Sequence, residues 1–169
     1  MFNADLATNA GDPAKVYEDL RGTLRDLGVD FQEVGGHEIL AGYTPNAASY
    51  DPISVRFWFP EQNGVLVADG LILPLEEEPS HDLRVALNYL NSELYTFSFF
   101  VVDTDNGPEV MVRQALLPNL DQAPTLHPRE IQHALTGLCA QKAIFAGPLT
   151  RVSEGSSWRF VKEALKSVR

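Results

Sequence analysis

The sequence is poor in the residues and runs that mark several protein classes. One cysteine, Cys139, excludes an internal disulfide. The four histidines, His37, His81, His127 and His133, are scattered instead of grouped with further cysteines, against a structural zinc site. Apolar runs fall far short of a membrane span, and the opening MFNADLATNAGDP has acidic groups but no basic region or apolar run, unlike a signal peptide. This usage fits a soluble protein of the reducing cytoplasm. Catalytic signatures are missing as well. His37-Glu38 opens a strand, and His127 and His133 stand six apart on different helix faces, so neither makes a His-Glu-x-x-His zinc site. No Gly-x-Ser-x-Gly elbow occurs, and Gly35-Gly36 joins strand to strand where a phosphate loop would open onto a helix. Cys139 falls on the apolar stripe of its helix, the place of an inert thiol. These absences leave no candidate catalytic, cofactor-binding or metal-ligating residue, although carboxylates such as Asp69 and Glu93 can converge in space without a sequence signature.

What is present suffices for one domain. At 169 residues and 44% hydrophobic content, folding can bury roughly 70% of the unfolded chain's surface. The net charge of −10 is uneven: residues 1–141 hold 21 acidic and 7 basic groups, and residues 142–169 hold 2 acidic and 6 basic. So acidic a body repels phosphate backbones, against direct nucleic-acid binding except through the basic end.

Periodicity gives the element order. Residues 1–11 read as a flexible leader. Asp12-Pro13 then caps a helix with Val16, Leu20, Leu24 and Leu27 on one face and Gly28 as its stop. VDFQEV, a Gly35-Gly36 turn and HEILAGYT read as a hairpin whose second strand is weakened by Gly42. ISVRFWF places Ile53, Val55, Phe57 and Phe59 on one side, and Asn63-Gly64 turns the chain into GVLVADGLILP. After solvated PLEEEPS, Ser80 or Asp82 caps a helix with a Leu83, Ala86, Leu87, Leu90, Leu94 stripe. TFSFFVVD and PEVMVRQALLP form a further hairpin. After the loop NLDQAPTL, Pro128 starts a third helix that Gly147-Pro148 is expected to end. SEGSS reads as a flexible joint before a short basic helix. The order α-ββββ-α-ββ-α-α is that of an α+β domain, residues 12–152, with helices on a largely antiparallel sheet and residues 153–169 as a basic C-terminal helix; one sheet or two both satisfy it.

DTDNG imitates half a calcium loop, with Asp103, Asp105 and Gly107 at positions 1, 3 and 5. Positions 6 and 12, where that chemistry wants Gly and a bidentate Glu, hold Pro108 and Gln114. A hairpin turn accounts for it.

The Leu-rich helix with LNYLN, the short passage into an aromatic strand, the acid-and-glycine hairpin and a return strand ending in LLP together resemble the YbjN family of putative bacterial sensory transduction regulators. Residues 83–118 carry the likeness, and the helix at 127–146 continues it. The resemblance implies a type III secretion chaperone-like fold: small acidic proteins, generally homodimeric, that hold partner proteins without hydrolysing anything. The chain departs from that pattern by a fourth strand before the middle helix and a basic helix after the third.

Candidate contact residues follow from the faces. Val85 and Tyr89 lie four apart on the middle helix away from its stripe, with Asn88 beside them, suiting either a dimer contact or plain surface. Asn91, at the margin of the stripe, can bond backbone where helix passes into strand. Trp58 shares a strand face with Ser54 and Arg56; it is either a core side chain covered by a helix or the tail, or an exposed anchor for a partner. In the tail, Trp158 and Arg159 head a helix whose apolar side is expected to dock on the acidic body. The reading is a non-enzymatic protein-binding adaptor or chaperone-like regulator, homodimeric, whose partner is another protein. The alternatives are a small-molecule binder or hydrolase with no signature, and nucleic-acid binding through the tail.

Overall fold

The computed structural model describes residues 13–45, 50–60, 65–116 and 126–168. The leader, the Asp12 cap, the Asn63-Gly64 turn and most of the NLDQAPTL loop lie outside the described residues.

Helix α1 (Pro13–Asp26) buries Val16, Leu20 and Leu24. Gly28, at φ +65°, ends it: its N–H bonds the Arg25 carbonyl, and the Val29 N–H bonds the Leu24 carbonyl. Val29 is drawn inward by that turn, while Leu27, expected on the stripe, falls past the last helical residue and is 37% exposed. Strands β1 (Asp30–Gly35) and β2 (Glu38–Tyr43) form the first hairpin. The turn sits one residue later than expected, on Gly36-His37, and both residues have positive φ, as a tight turn between right-twisted strands demands.

Strands β3 (Ile53–Trp58) and β4 (Leu66–Pro74) follow, then α2 (His81–Glu93), capped by the Ser80 hydroxyl accepting from the Leu83 N–H at 3.2 Å. Strands β5 (Ser98–Thr104) and β6 (Gly107–Leu116) make the last hairpin, in which Thr104 bonds across DTDNG to the Gly107 carbonyl. Among the described residues no group of three or more His, Cys, Asp or Glu could hold a metal ion.

All six described strands lie in one sheet, ordered β1-β2-β3-β4-β6-β5, and every neighbouring pair is antiparallel. Helix α3 (Pro128–Ser153) crosses its centre against β3, β4 and β6. Gly70 permits that approach: a Cβ there would stand 2.8 Å from Ile53 Cδ1 and 3.4 Å from Leu138 Cβ. Helix α3 begins on His127, whose ring accepts from Arg129 N–H while Glu130 accepts from His127 N–H.

The expected stop at Gly147-Pro148 does not occur; the helix runs on to Ser153. Gly147 has no Cβ to clash with the proline ring, and burial of Leu149 and Val152 beyond it outweighs the lost backbone bond. The true stop is Gly155, at φ +98°, within the stretch expected to be a joint; Ser156 N–H bonds the Arg151 carbonyl there. Helix α4 (Arg159–Ser167) then lies against α3 and α2, with Val161 and Leu165 buried.

One core holds the inner face of the sheet against the helices, from Leu20 and Phe57 through Leu90 and Leu135 to Leu165. Phe99 meets Phe145 edge to face at 5.6 Å within it. Among the described residues no helix is long and apolar enough to cross a membrane.

Candidate functional site on the helix-free sheet face

Strand alternation sends every second side chain to the face opposite the helices. The register assembles Glu38 and Leu40 of β2, Ser54, Arg56 and Trp58 of β3, Asp69 and Leu71 of β4, Glu109, Met111 and Arg113 of β6, and Phe100 and Val102 of β5. No described helix covers this face.

Its centre is an ionic row. Arg56, Asp69 and Arg113 stand opposite one another on adjacent strands. Asp69 is 4% exposed and accepts three hydrogen bonds: Arg113 Nε at 2.7 Å, Arg113 Nη2 at 2.9 Å and Trp58 Nε1 at 2.8 Å. The bonds of Arg113 to Asp69 push the Arg113 pKa above its ordinary value in spite of desolvation. The Arg113 guanidinium also lies 4.5 Å from the Phe100 ring centroid and 5.1 Å from that of Trp58. Arg56 also lies over the Trp58 ring, 5.5 Å from its centroid, while pairing with Glu38 at 2.7 Å. Trp58 is therefore held by two cations and a carboxylate and is half-exposed, with no described helix, α4 included, over it.

Beside the row lies a hollow of about 680 Å³ reaching from β1 to the tip of the β5–β6 hairpin. Gly42 and Ser54, directly paired, contribute almost no bulk, so the sheet surface sinks between Leu40 and Leu71. Met111 and Val102 continue the apolar lining, and Asp30, Asp103 and Glu109 stand around it. Trp58 and Phe100 beside two arginines would suit stacked bases. Both arginines, however, already have carboxylate partners, and the three further acids make the face repel phosphate.

The sequence-predicted residues divide between two sides of the molecule. Arg56 and Trp58 belong to the open face. Val85, Asn88, Tyr89, Trp158 and Arg159 belong to the helical side, where the Tyr89 ring meets Trp158 at 5.5 Å and Lys162 stands 5.9 Å from Trp158. Val85 is half-buried, while Asn88 and Arg159 are exposed. Asn91 bonds the edge strand: its amide donates to the Phe99 carbonyl at 2.8 Å and accepts from the Phe99 N–H at 2.6 Å. Asp69 and Glu93 do not meet, since Glu93 belongs to α2 in the helical layer. Leu71, Met111, Arg113 and Gly42 were missed as site residues. The available signal was Asp69, an acid in the middle of an otherwise apolar strand.

No protein-family model matches the chain, and comparison with curated proteins gives no match. Among solved structures it is similar to that of YbjN, a putative transcription regulator from E. coli, with a TM-score of 0.50 and 20% sequence identity, covering 75% of this chain and 85% of that one. Such identity speaks for architecture alone: the chain has a YbjN-like fold.

Proposed function

We propose that the protein is a non-enzymatic, cytoplasmic adaptor or chaperone-like regulator that holds a segment of a partner protein and acts as a homodimer. The observation that carries this reading is the helix-free sheet face, where an apolar hollow adjoins the Trp58–Asp69–Arg113 cluster. Apolar surface left uncovered on one side of a sheet marks a contact site, and Trp and Arg are the side chains that concentrate binding energy there. The YbjN structure, described as that of a putative transcription regulator, agrees with a regulatory role. The hollow has the volume of a small-molecule site but opens across the sheet to water, so it would not enclose such a ligand. For the dimer, the outer side of α2 and α4 offers Asn88, Arg159 and the 45%-exposed Phe160.

A photo-crosslinking residue at Ser54 is expected to capture a discrete partner in cells, and Gly42→Val is expected to abolish that capture. Capture from Asn88 alone, or none, refutes the reading of the face. Light scattering should give the mass of two chains; a single-chain mass at micromolar concentration removes the homodimer.

A further inference from the structure

We infer that the segment held on the open face is a basic amphipathic helix; this rests on the reading of that face as protein-binding. The first argument concerns backbone hydrogen bonds. The hollow runs across the sheet from β1 to the β5–β6 hairpin, and the strands under its middle, β2, β3, β4 and β6, are each paired on both sides, so the sheet offers no free N–H or C=O except at its edges. An extended segment lying across it would bury backbone groups without partners, whereas a helix satisfies its own. Strand addition would place a segment in the plane of the sheet beside edge strand β1 or β5 and not over the hollow, and on β5 the Asn91 amide already occupies the outward N–H and C=O of Phe99.

The second argument is size. Six strands side by side span five spacings, about 24 Å, the length of a helix of about 16 residues. Its apolar side would meet Leu40, Leu71, Met111 and Val102, with one large side chain lowered over Gly42 and Ser54.

The third argument is charge. Arg56 and Arg113 are neutralised by Glu38 and Asp69, but Asp30 at one end of the hollow and Asp103 and Glu109 at the other have no ion-pair partner among the described residues. A helix carrying Lys or Arg towards both ends matches that pattern.

Two labelled synthetic 16-residue helical peptides test the inference, both with a leucine face, one with lysines on the other face and one with glutamates. Fluorescence anisotropy should show the lysine peptide binding at least tenfold tighter than the glutamate peptide. Gly42→Val fills the hollow without changing charge, because a Cβ at position 42 meets nothing within 4 Å. It should weaken the lysine peptide at least tenfold. Asp30→Asn with Glu109→Gln should weaken it severalfold and flatten its salt dependence. Equal binding of the two peptides, no binding, or undiminished binding to Gly42→Val overturns the inference, as does a dimer that Gly42→Val dissociates, which would make a second copy the occupant. Crosslinking from Ser54 separates the two levels. A partner captured there through a segment that is not a basic helix sinks the inference and leaves the broader reading standing; no Gly42→Val-sensitive capture sinks the broader reading.

Discussion

Replacing Asp69 with Asn keeps the shape of the side chain while removing its charge and one acceptor. Three donors converge on two carboxylate oxygens: Oδ1 takes Arg113 Nε, and Oδ2 takes Arg113 Nη2 and Trp58 Nε1. Whichever way the Asn amide is turned, its NH2 faces at least one of these donors. A hydrogen bond to a charged group contributes about 1.5–3 kcal/mol, and breaking a fully buried pair costs about 3–5 kcal/mol. The upper range does not apply, because the Arg113 side chain is 37% exposed and can regain water. We expect a loss of about 2–3 kcal/mol, which in a chain of this size lowers Tm by about 4–12 °C. Urea unfolding followed by circular dichroism avoids the altered environment of Trp58. As control, Asp69→Leu with Arg113→Met removes both charges and should lie within about 1 kcal/mol of the parent. If Asp69→Asn costs less than about 0.5 kcal/mol, or the double variant is no better than the single, the row does not hold the face as argued.

Four further outcomes are expected. Asn91→Ala should cost about 1–2 kcal/mol for its two bonds to Phe99, and should raise light scattering on storage because the apolar β5 edge is then open. Gly70→Ala should cost about 1–3 kcal/mol by forcing Ile53 and Leu138 apart, and adding Ile53→Val, which deletes the nearest atom, should recover part of it in thermal unfolding. Leu165→Ala should lose about 2–4 kcal/mol if the contact of α4 with α3 supports the domain, since Leu165 is 2% exposed; an unchanged melting temperature would refute that support. Burial lifts the Cys139 thiol from 9.0 to about 11, so it should react with a thiol reagent at pH 8 only as fast as the chain unfolds. Between those values the folded state keeps a proton that the unfolded chain releases. Stability should therefore fall as pH rises above about 9, and a flat pH–stability curve there for the parent against Cys139→Ala would contradict the burial argument.

The element order and the antiparallel class were legible because they depend on local periods. Alternation in ISVRFWF, the 3.6-residue stripe of Leu83, Ala86, Leu87 and Leu90, and the Ser80 cap each act within a few residues. The stop of α3 was not legible. A proline normally ends a helix, and what carried this one past Pro148 is the burial of Leu149 and Val152, a long-range term.

Residue type alone made Trp58 and Arg56 candidates, but their setting depends on Asp69 and Arg113, which stand beside them through pairing with β4 and β6. In Arg113 and Asp69 that contact joins residues 44 positions apart. The sequence by itself determined which side chains alternate to which side of each strand. Only the tertiary structure decided that all six described strands share one sheet, that every described helix lies on one side of it, and hence that no described helix covers the other side. Local propensity specifies a face, whereas what covers that face depends on how the whole chain closes around its core.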